Sequence, residues 1–230
     1  MTPLLIIIAL APPISLVWFF QAKNPGPKDG LGWLVLTFSL GILSGGPALM
    51  LNHLVEKYTV LWAGAPNMEH RVLFWLLGIG MNEEVAKLLP LMALIFLRRS
   101  PATPYQGLMA GITVALGFSA VENLFYLDRY GTATLIIRSV LTVPAHAFFT
   151  APLGYSLAMA RLAKSGWSTY GWMMGGLLLA MAFHGLYDVW LSLDSDPMNR
   201  LAYVQVALMG LFALYLARRA ARAPLPAEAA

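Results

Sequence analysis

The chain has 230 residues, of which 59% are hydrophobic and 11% are charged, and its formal net charge is +4. This composition excludes an ordinary soluble domain, and the length accommodates about seven helices of about 20 residues in a membrane. The chain contains no cysteine, which excludes disulfides, thiolate metal sites and cysteine nucleophiles. Most Lys and Arg residues lie at the ends of apolar runs, where they orient a chain in a membrane, so we expect no nucleic-acid partner.

Seven apolar runs follow one another along the chain, separated by turn-forming and charged residues. Because a helix satisfies its own backbone hydrogen bonds in lipid, we predict an all-α, polytopic membrane helical bundle with about seven transmembrane helices. The first run lacks the features of a signal peptide and is interpreted as a retained span. Residues 51–62 have an amphipathic pattern that predicts either a helix on the membrane surface or an extension of the second span. The runs cover 2–20, 31–51, 72–97, 106–127, 135–160, 170–193 and 201–217.

The basic residues between these runs predict the orientation of the chain. With seven spans, nine Lys and Arg residues fall on one side and four on the other. Because cytoplasmic loops are enriched in Lys and Arg, we expect the N-terminus outside and the C-terminus in the cytoplasm of a cell-membrane protein. The nine are Lys23, Lys28, Arg98, Arg99, Arg161, Lys164, Arg218, Arg219 and Arg222, and the four are Lys57, Arg71, Arg129 and Arg200.

Among the ionisable residues inside the apolar runs, six stand out, and Asp188 follows the last of them by one helical turn. A charge at the centre of a membrane helix costs roughly 2.5–3.5 kcal/mol on insertion scales, so such residues usually have a function. In the predicted orientation, the residues on four different helices lie at a similar depth, roughly 7–17 Å below the outer face. These four are Glu83, Glu122, His146 and His184. The six are Glu83, Glu84, Lys87, Glu122, His146 and His184.

The segment Glu83-Glu84-Val85-Ala86-Lys87 places two carboxylates and an ammonium group on adjoining helical turns. Lys87 can reach either glutamate, and a cation or a proton relieves the repulsion between two buried carboxylates. The arrangement predicts either a structural ion pair or an acid–base pair that activates water. Glu83 is the better candidate for the base, and Glu84 is the alternative.

Two further groups of polar residues follow in later spans. Asn123 comes directly after Glu122 and could support it or face another helix. Asp188 shares a helical face with His184, so it could orient the imidazole or bind a ligand directly. His146 and His184 are the only histidines inside the predicted spans.

In this order the motifs resemble the PrsW family of intramembrane proteases, relatives of the CAAX prenyl-protease and bacteriocin-processing group. The matching segments are Glu83-Glu84-x-x-Lys87 and Phe118-x-x-x-Glu122-Asn123, followed by His146 and His184. Asp188 stands where relatives of the broader group often have Asn. The resemblance implies hydrolysis of a peptide bond in a single-pass membrane-protein substrate, as in cleavage of an anti-sigma factor on its extracytoplasmic side.

We therefore expect a single integral-membrane peptidase domain over 1–230, with a catalytic core at about 72–193. The alternatives are a proton- or cation-coupled transporter, a non-catalytic scaffold and a CAAX-type peptidase of the same group. A transporter also uses intramembrane Glu and His residues, but the inverted repeats typical of transporters are not visible. The expected catalytic residues are Glu83, Glu84, Glu122, His146 and His184, and the supporting residues are Lys87, Asn123 and Asp188.

The same residues leave the cofactor open. Zn²⁺ accepts imidazole and carboxylate ligands, so a zinc site is one possibility. Lys87 already supplies a cation beside the glutamate pair, and the close His pair of helical zinc proteases is missing, so a metal-free mechanism is slightly favoured. The candidate ligands are Glu83, Glu122, His146 and His184.

Overall fold

The structure is a computed structural model that describes residues 3–23, 29–59, 63, 66–99, 102–193 and 195–222. Throughout these residues the regular structure is helical, and the predicted all-α bundle is confirmed. The helices α3 and α4 continue through a π-helical segment as one rod. The elements are α1 (Pro3–Ala22), α2 (Leu31–Tyr58), α3 (Met68–Leu73), the π-helical segment (Phe74–Gly80), α4 (Met81–Phe96), α5 (Pro104–Val140), α6 (Thr142–Leu162), α7 (Gly166–Ser192) and α8 (Asp196–Ala221).

Five of the described helices are long and apolar enough to cross a membrane by length and composition: α1, α2, α5, α7 and α8. The remaining rods, α3–α4 and α6, contain buried polar residues such as Glu84, Lys87, His146 and Thr150. Polar side chains lower the mean hydropathy of a helix, and burial inside the bundle separates them from lipid. The two less apolar rods therefore carry much of the polar interior.

The close packing of α5 against α6 depends on small residues. Gly107 and Gly111 of α5 face Gly154 of α6, and a Cβ atom at any of the three would collide with the backbone of the other helix. Small residues at this spacing allow two helix backbones to approach closely. Gly171 and Gly175 of α7 have the same spacing, but a Cβ atom at either would meet nothing within 4 Å in the described part of the chain.

Two predicted boundaries differ from the structure. Gly131 breaks α5 with φ +80° and ψ −175°, a conformation essentially restricted to glycine, and Leu141 separates α5 from α6. The predicted apolar run 135–160 therefore begins too early, because residues 135–140 belong to α5 and α6 begins at Thr142. α2 continues to Tyr58, so 51–58 extends the second span, whereas 60–62 lies outside the described residues.

Candidate active site

A cavity of about 880 Å³ lies at one end of the bundle, where α2, α5 and α7 end and α8 begins. Its wall includes Asn52 and Glu56 of α2, and its interior reaches the carboxylates and imidazoles predicted from the sequence. These residues come from α4, α5, α6 and α7, which are far apart in the chain. The predicted residues that line it are Glu83, Glu122, His146, His184 and Asp188.

Glu84 is fully buried, and both of its carboxylate oxygens have partners. Its Oε1 accepts a hydrogen bond from Lys87 Nζ at 2.7 Å and lies 2.8 Å from His184 Nδ1. Its Oε2 accepts a hydrogen bond from the Thr150 hydroxyl at 2.9 Å. Glu84 therefore connects α4 to α6 and α7 and orients its neighbours, and it has little capacity left to bind water.

Glu83 has a different environment, although it is adjacent to Glu84. Its Oε1 accepts a hydrogen bond from Asn52 Nδ2 at 3.3 Å. Its Oε2 lies 3.5 Å from His184 Nε2 and 3.9 Å from Lys87 Nζ, and it has no hydrogen-bond partner among the described residues. An unpartnered carboxylate oxygen beside a cavity can accept a proton or bind a cation. The geometry therefore favours Glu83 over Glu84 as the reactive carboxylate.

His184 is oriented from both sides of its ring. An ionised Glu84 can only accept, so His184 carries a proton on Nδ1, and in the neutral ring this leaves the lone pair on Nε2. Nε2 lies 3.6 Å from Asp188 Oδ2, one helical turn further along α7, as well as close to Glu83. Carboxylates fix the rings of metal-binding and catalytic histidines in this way.

His146 connects Lys87 of α4 to Glu122 of α5. Its Nδ1 lies 3.2 Å from Lys87 Nζ, and because an ammonium group only donates, Nδ1 is the acceptor. The proton of His146 then lies on Nε2, which is 2.8 Å from Glu122 Oε2. The edge-to-face packing of His146 and His184, with ring centroids 4.9 Å apart, completes a continuous buried network.

Arg138 is a member of this network that sequence reasoning missed. Its Nη2 lies 2.8 Å from Glu122 Oε2, and its Nε donates to Asn123 Oδ1 at 3.0 Å. Its guanidinium group also lies over the Tyr126 ring. Asn123 itself donates to the Ala9 carbonyl of α1, so it faces α1 and supports Glu122 through Arg138.

The sequence contained a signal for Arg138 but none for Asn52. Arg138 stands between Ile137 and Ser139 in an apolar run, and therefore met the criterion that identified the glutamates. Asn52 is uncharged and lies just after the second run. Only the spatial approach of α2 to α4 shows that Asn52 contacts Glu83.

The donors present fit a metal ion. Glu83, His146 and His184 each offer one ligand atom, and these atoms lie within 4.8 Å of one another. The unpartnered Glu83 Oε2 and the lone pair on His184 Nε2 are suitable zinc ligands. Both nitrogens of His146 already have neighbours, Lys87 Nζ at 3.2 Å and Glu122 Oε2 at 2.8 Å. Glu122, another predicted ligand, lies outside this group of described residues and is paired with Arg138.

The fold and the site define a polytopic membrane protein with a buried glutamate–histidine centre that a cavity connects to one end of the bundle. The sequence profile described as "PrsW family intramembrane metalloprotease" matches residues 29–216. The chain belongs to this family, and the resemblance expected from its motifs is confirmed. The protein is therefore an intramembrane protease, not the transporter or scaffold that were the alternatives.

Curated relatives support the same assignment. The Protease PrsW of Halalkalibacterium halodurans is 31% identical over 83% of this chain and 85% of its own length. Those of Geobacillus kaustophilus and Bacillus subtilis are 28% and 27% identical, over 92% and 78% of this chain and 87% and 78% of their own lengths. No solved structure matches the chain significantly.

Proposed function

We propose that the protein hydrolyses a peptide bond of a single-pass membrane protein, such as an anti-sigma factor, near its extracytoplasmic end. Glu83 is the residue that activates the attacking water. The observation that carries this proposal is the unpartnered Glu83 Oε2 beside a cavity of about 880 Å³. A carboxylate so placed can take the proton of a water molecule as that water attacks a carbonyl carbon.

The other residues of the network have distinct roles in this proposal. Glu84 holds His184 and Lys87 in place through its two oxygens. The ammonium group of Lys87, 3.9 Å from Glu83 Oε2, could stabilise developing negative charge on the substrate oxygen. Glu122, held by Arg138, keeps the His146 ring in the orientation that points Nε2 towards it.

The proposal includes a divalent metal, such as Zn²⁺, which His184 with Asp188 or His146 would hold next to the free oxygen of Glu83. Such an ion, when bound, polarises a carbonyl and lowers the pKa of a water ligand. The sequence argument for a metal-free site rested partly on Lys87, but Lys87 Nζ binds Glu84 at 2.7 Å and lies 3.9 Å from Glu83 Oε2, which has no hydrogen-bond partner among the described residues. Membership of a family of intramembrane metalloproteases supports the metal as well.

The zinc content of the purified full chain tests the metal. About one zinc per chain is expected, and His184→Ala should lose it. His53→Ala is the matched control, because His53 lines the same cavity but lies outside the ligand group. Full cleavage activity after complete removal of metal would support the metal-free mechanism instead.

The proposed orientation has the N-terminus outside and the C-terminus in the cytoplasm, so that the cavity opens on the extracytoplasmic side. The support is the excess of Lys and Arg at the opposite end of the bundle. Reporter fusions at the two termini test it. An N-terminal reporter found in the cytoplasm would contradict both the orientation and the side of cleavage.

Comparison of membrane peptides by mass spectrometry tests the substrate class. Cells with the active protein should contain products cut at or just outside the outer third of a substrate span, and cells with Glu83→Gln should lack them. Glu56→Gln changes another carboxylate of the same cavity and should leave the products unchanged. Identical peptides in the active and Glu83→Gln cells would contradict the proposal.

A further inference from the structure

A second cavity, of about 590 Å³, forms a groove on the outside of the bundle between α1 and α8. Both helices pack on α5 and α6, which supply the floor through Leu108, Ile112 and Phe148. The groove and the active-site cavity have no lining residue in common. The groove lies towards the opposite end, where α5 begins and α8 finishes.

Three basic side chains lie at one end of this apolar groove. Lys23 follows the last turn of α1, and Arg218 and Arg222 lie at the end of α8. Within the ranges that the structure describes, none of the three forms an ion pair with a carboxylate. At the same end of the bundle, by contrast, Arg98 is paired with Asp29 at 3.0 Å. The groove therefore combines an apolar channel with positive charge that no carboxylate of the described residues pairs with.

The dimensions of the groove match one leaflet of a bilayer. Its lining extends along α8 from Gly210 to Arg222, which corresponds to about 18 Å at 1.5 Å per residue. Half of a hydrocarbon core of about 30 Å is about 15 Å. An occupant with a negative head group at the basic end and an acyl chain along the groove would satisfy both parts of the lining.

We propose that the groove between α1 and α8 is a binding site for an anionic phospholipid. Lys23, Arg218 and Arg222 hold the phosphate group, and the acyl chain lies against Leu108, Ile112 and Phe148. Basic pockets between transmembrane helices bind anionic head groups by the same combination of charge and apolar contact.

A substrate helix fits this position less well than a lipid. α5 and α6 lie between the groove and Glu83, since Phe148 of α6 lines the groove while His146 of the same helix lines the active-site cavity. A peptide segment in the groove would therefore be separated from the reactive carboxylate by two helices. The proposal is independent of the catalytic mechanism.

The test is a lipid titration of the purified full chain in detergent, with bound lipid counted by native mass spectrometry. Phosphatidylglycerol should bind at least about tenfold more tightly than phosphatidylcholine with the same acyl chains. Arg218→Gln/Arg222→Gln should weaken phosphatidylglycerol binding by about thirtyfold. Each basic residue near a charged membrane surface contributes about 1 kcal/mol, and the loss of two corresponds to about that factor. Arg99→Gln/Lys164→Gln removes the same charge at the same end outside the groove, and should change binding by less than about twofold.

Ala217→Trp tests the apolar part of the site, because it fills the groove and keeps every basic residue. It should also abolish tight binding of phosphatidylglycerol. Equal losses in the two charge-reduced proteins would overturn the proposal, as would equal binding of the two lipids. Full competition by soluble glycerophosphate, or retention of binding by Ala217→Trp, would show an anion site without an acyl channel and would also overturn it.

Discussion

The two cavities of this bundle differ in how their charges are neutralised. In the active-site cavity, Lys87, Arg138 and the histidines are in contact with carboxylates at distances between 2.7 and 3.9 Å. In the groove between α1 and α8, the basic side chains have no carboxylate partner in the described part of the chain. The buried charges around the first cavity have their counter-ions within the protein, whereas the second presents charge to its surroundings.

The difference follows from the position of the charges along the helices. Lys87 and Glu84 lie well inside the bundle, where an unpaired charge is costly, so each needs a fixed partner. Arg218 and Arg222 lie at the end of α8, where water and lipid head groups are accessible. A charge in the middle of a rod is therefore constrained by the fold, and a charge at its end remains available for a ligand.

The largest effect is expected at Glu83. Glu83→Gln removes the proposed base, and because general-base catalysis contributes about 10²–10⁴-fold, peptide cleavage should fall by at least that factor. The measurement is the cleavage rate of a membrane-protein substrate by the purified full chain. Glu56→Gln in the same cavity should keep the wild-type rate. Cleavage by Glu83→Gln within a few fold of the wild-type rate would exclude Glu83 as the base.

Loss of Lys87 should affect stability more than loss of a basic residue in the groove. Lys87→Met leaves the buried Glu84 carboxylate without its cation, and should lower the free energy of unfolding by about 3–5 kcal/mol. Arg218→Gln should change it by less than about 0.5 kcal/mol. Thermal unfolding in detergent measures both. Equal effects would remove the distinction between the two cavities.

A further stability measurement separates the contribution of the pair from that of packing. In Glu84→Gln/Lys87→Met both charges are absent, so this protein should be more stable than Lys87→Met alone. An equally unstable double variant would show that the apolar contacts of the Lys87 stem are what matters.

Arg138 should act through Glu122 and not directly on the substrate. Residues that orient a catalytic or metal-binding group typically contribute 10–100-fold, so Arg138→Gln should lower the cleavage rate by about that factor. Arg138→Lys should recover part of the loss, because an ammonium group can still pair with Glu122. Arg129→Gln, a second arginine of the cavity wall, is the control. No loss in Arg138→Gln would show that Glu122 needs no cation.

The smallest effect is expected at Asn52. Asn52→Leu removes one neutral hydrogen bond to Glu83, and a net contribution of about 0.5–1.5 kcal/mol corresponds to a loss of about two- to tenfold in the cleavage rate. The rate of Asn199→Leu, which changes another amide of the cavity wall, should stay close to that of the wild type. A similar loss in both would indicate a general change of the cavity.

Much of the helical architecture could be predicted because lipid restricts the chain to a few solutions. Apolar runs of about 20 residues form helices, and their order and approximate positions agree with α1, α2, α4, α5, α7 and α8. The break at Gly131 could not be predicted, since it depends on one backbone conformation and not on hydropathy. Because of that break, the last part of α5 lies back against the part that carries Glu122, and Arg138 pairs with Glu122.

The sequence by itself determined which chemical groups lie inside the bundle. An ionisable residue in an apolar run is costly to insert into a membrane, so its presence there indicates a function. Only the tertiary structure decided their division of labour. Glu83 and Glu84 are adjacent and chemically identical. Both oxygens of Glu84 accept hydrogen bonds, whereas Oε2 of Glu83 has no hydrogen-bond partner among the described residues and lies beside the cavity. The reason is that contacts from α2, α6 and α7 set the partners of each carboxylate, and such contacts between distant segments cannot be read from local sequence.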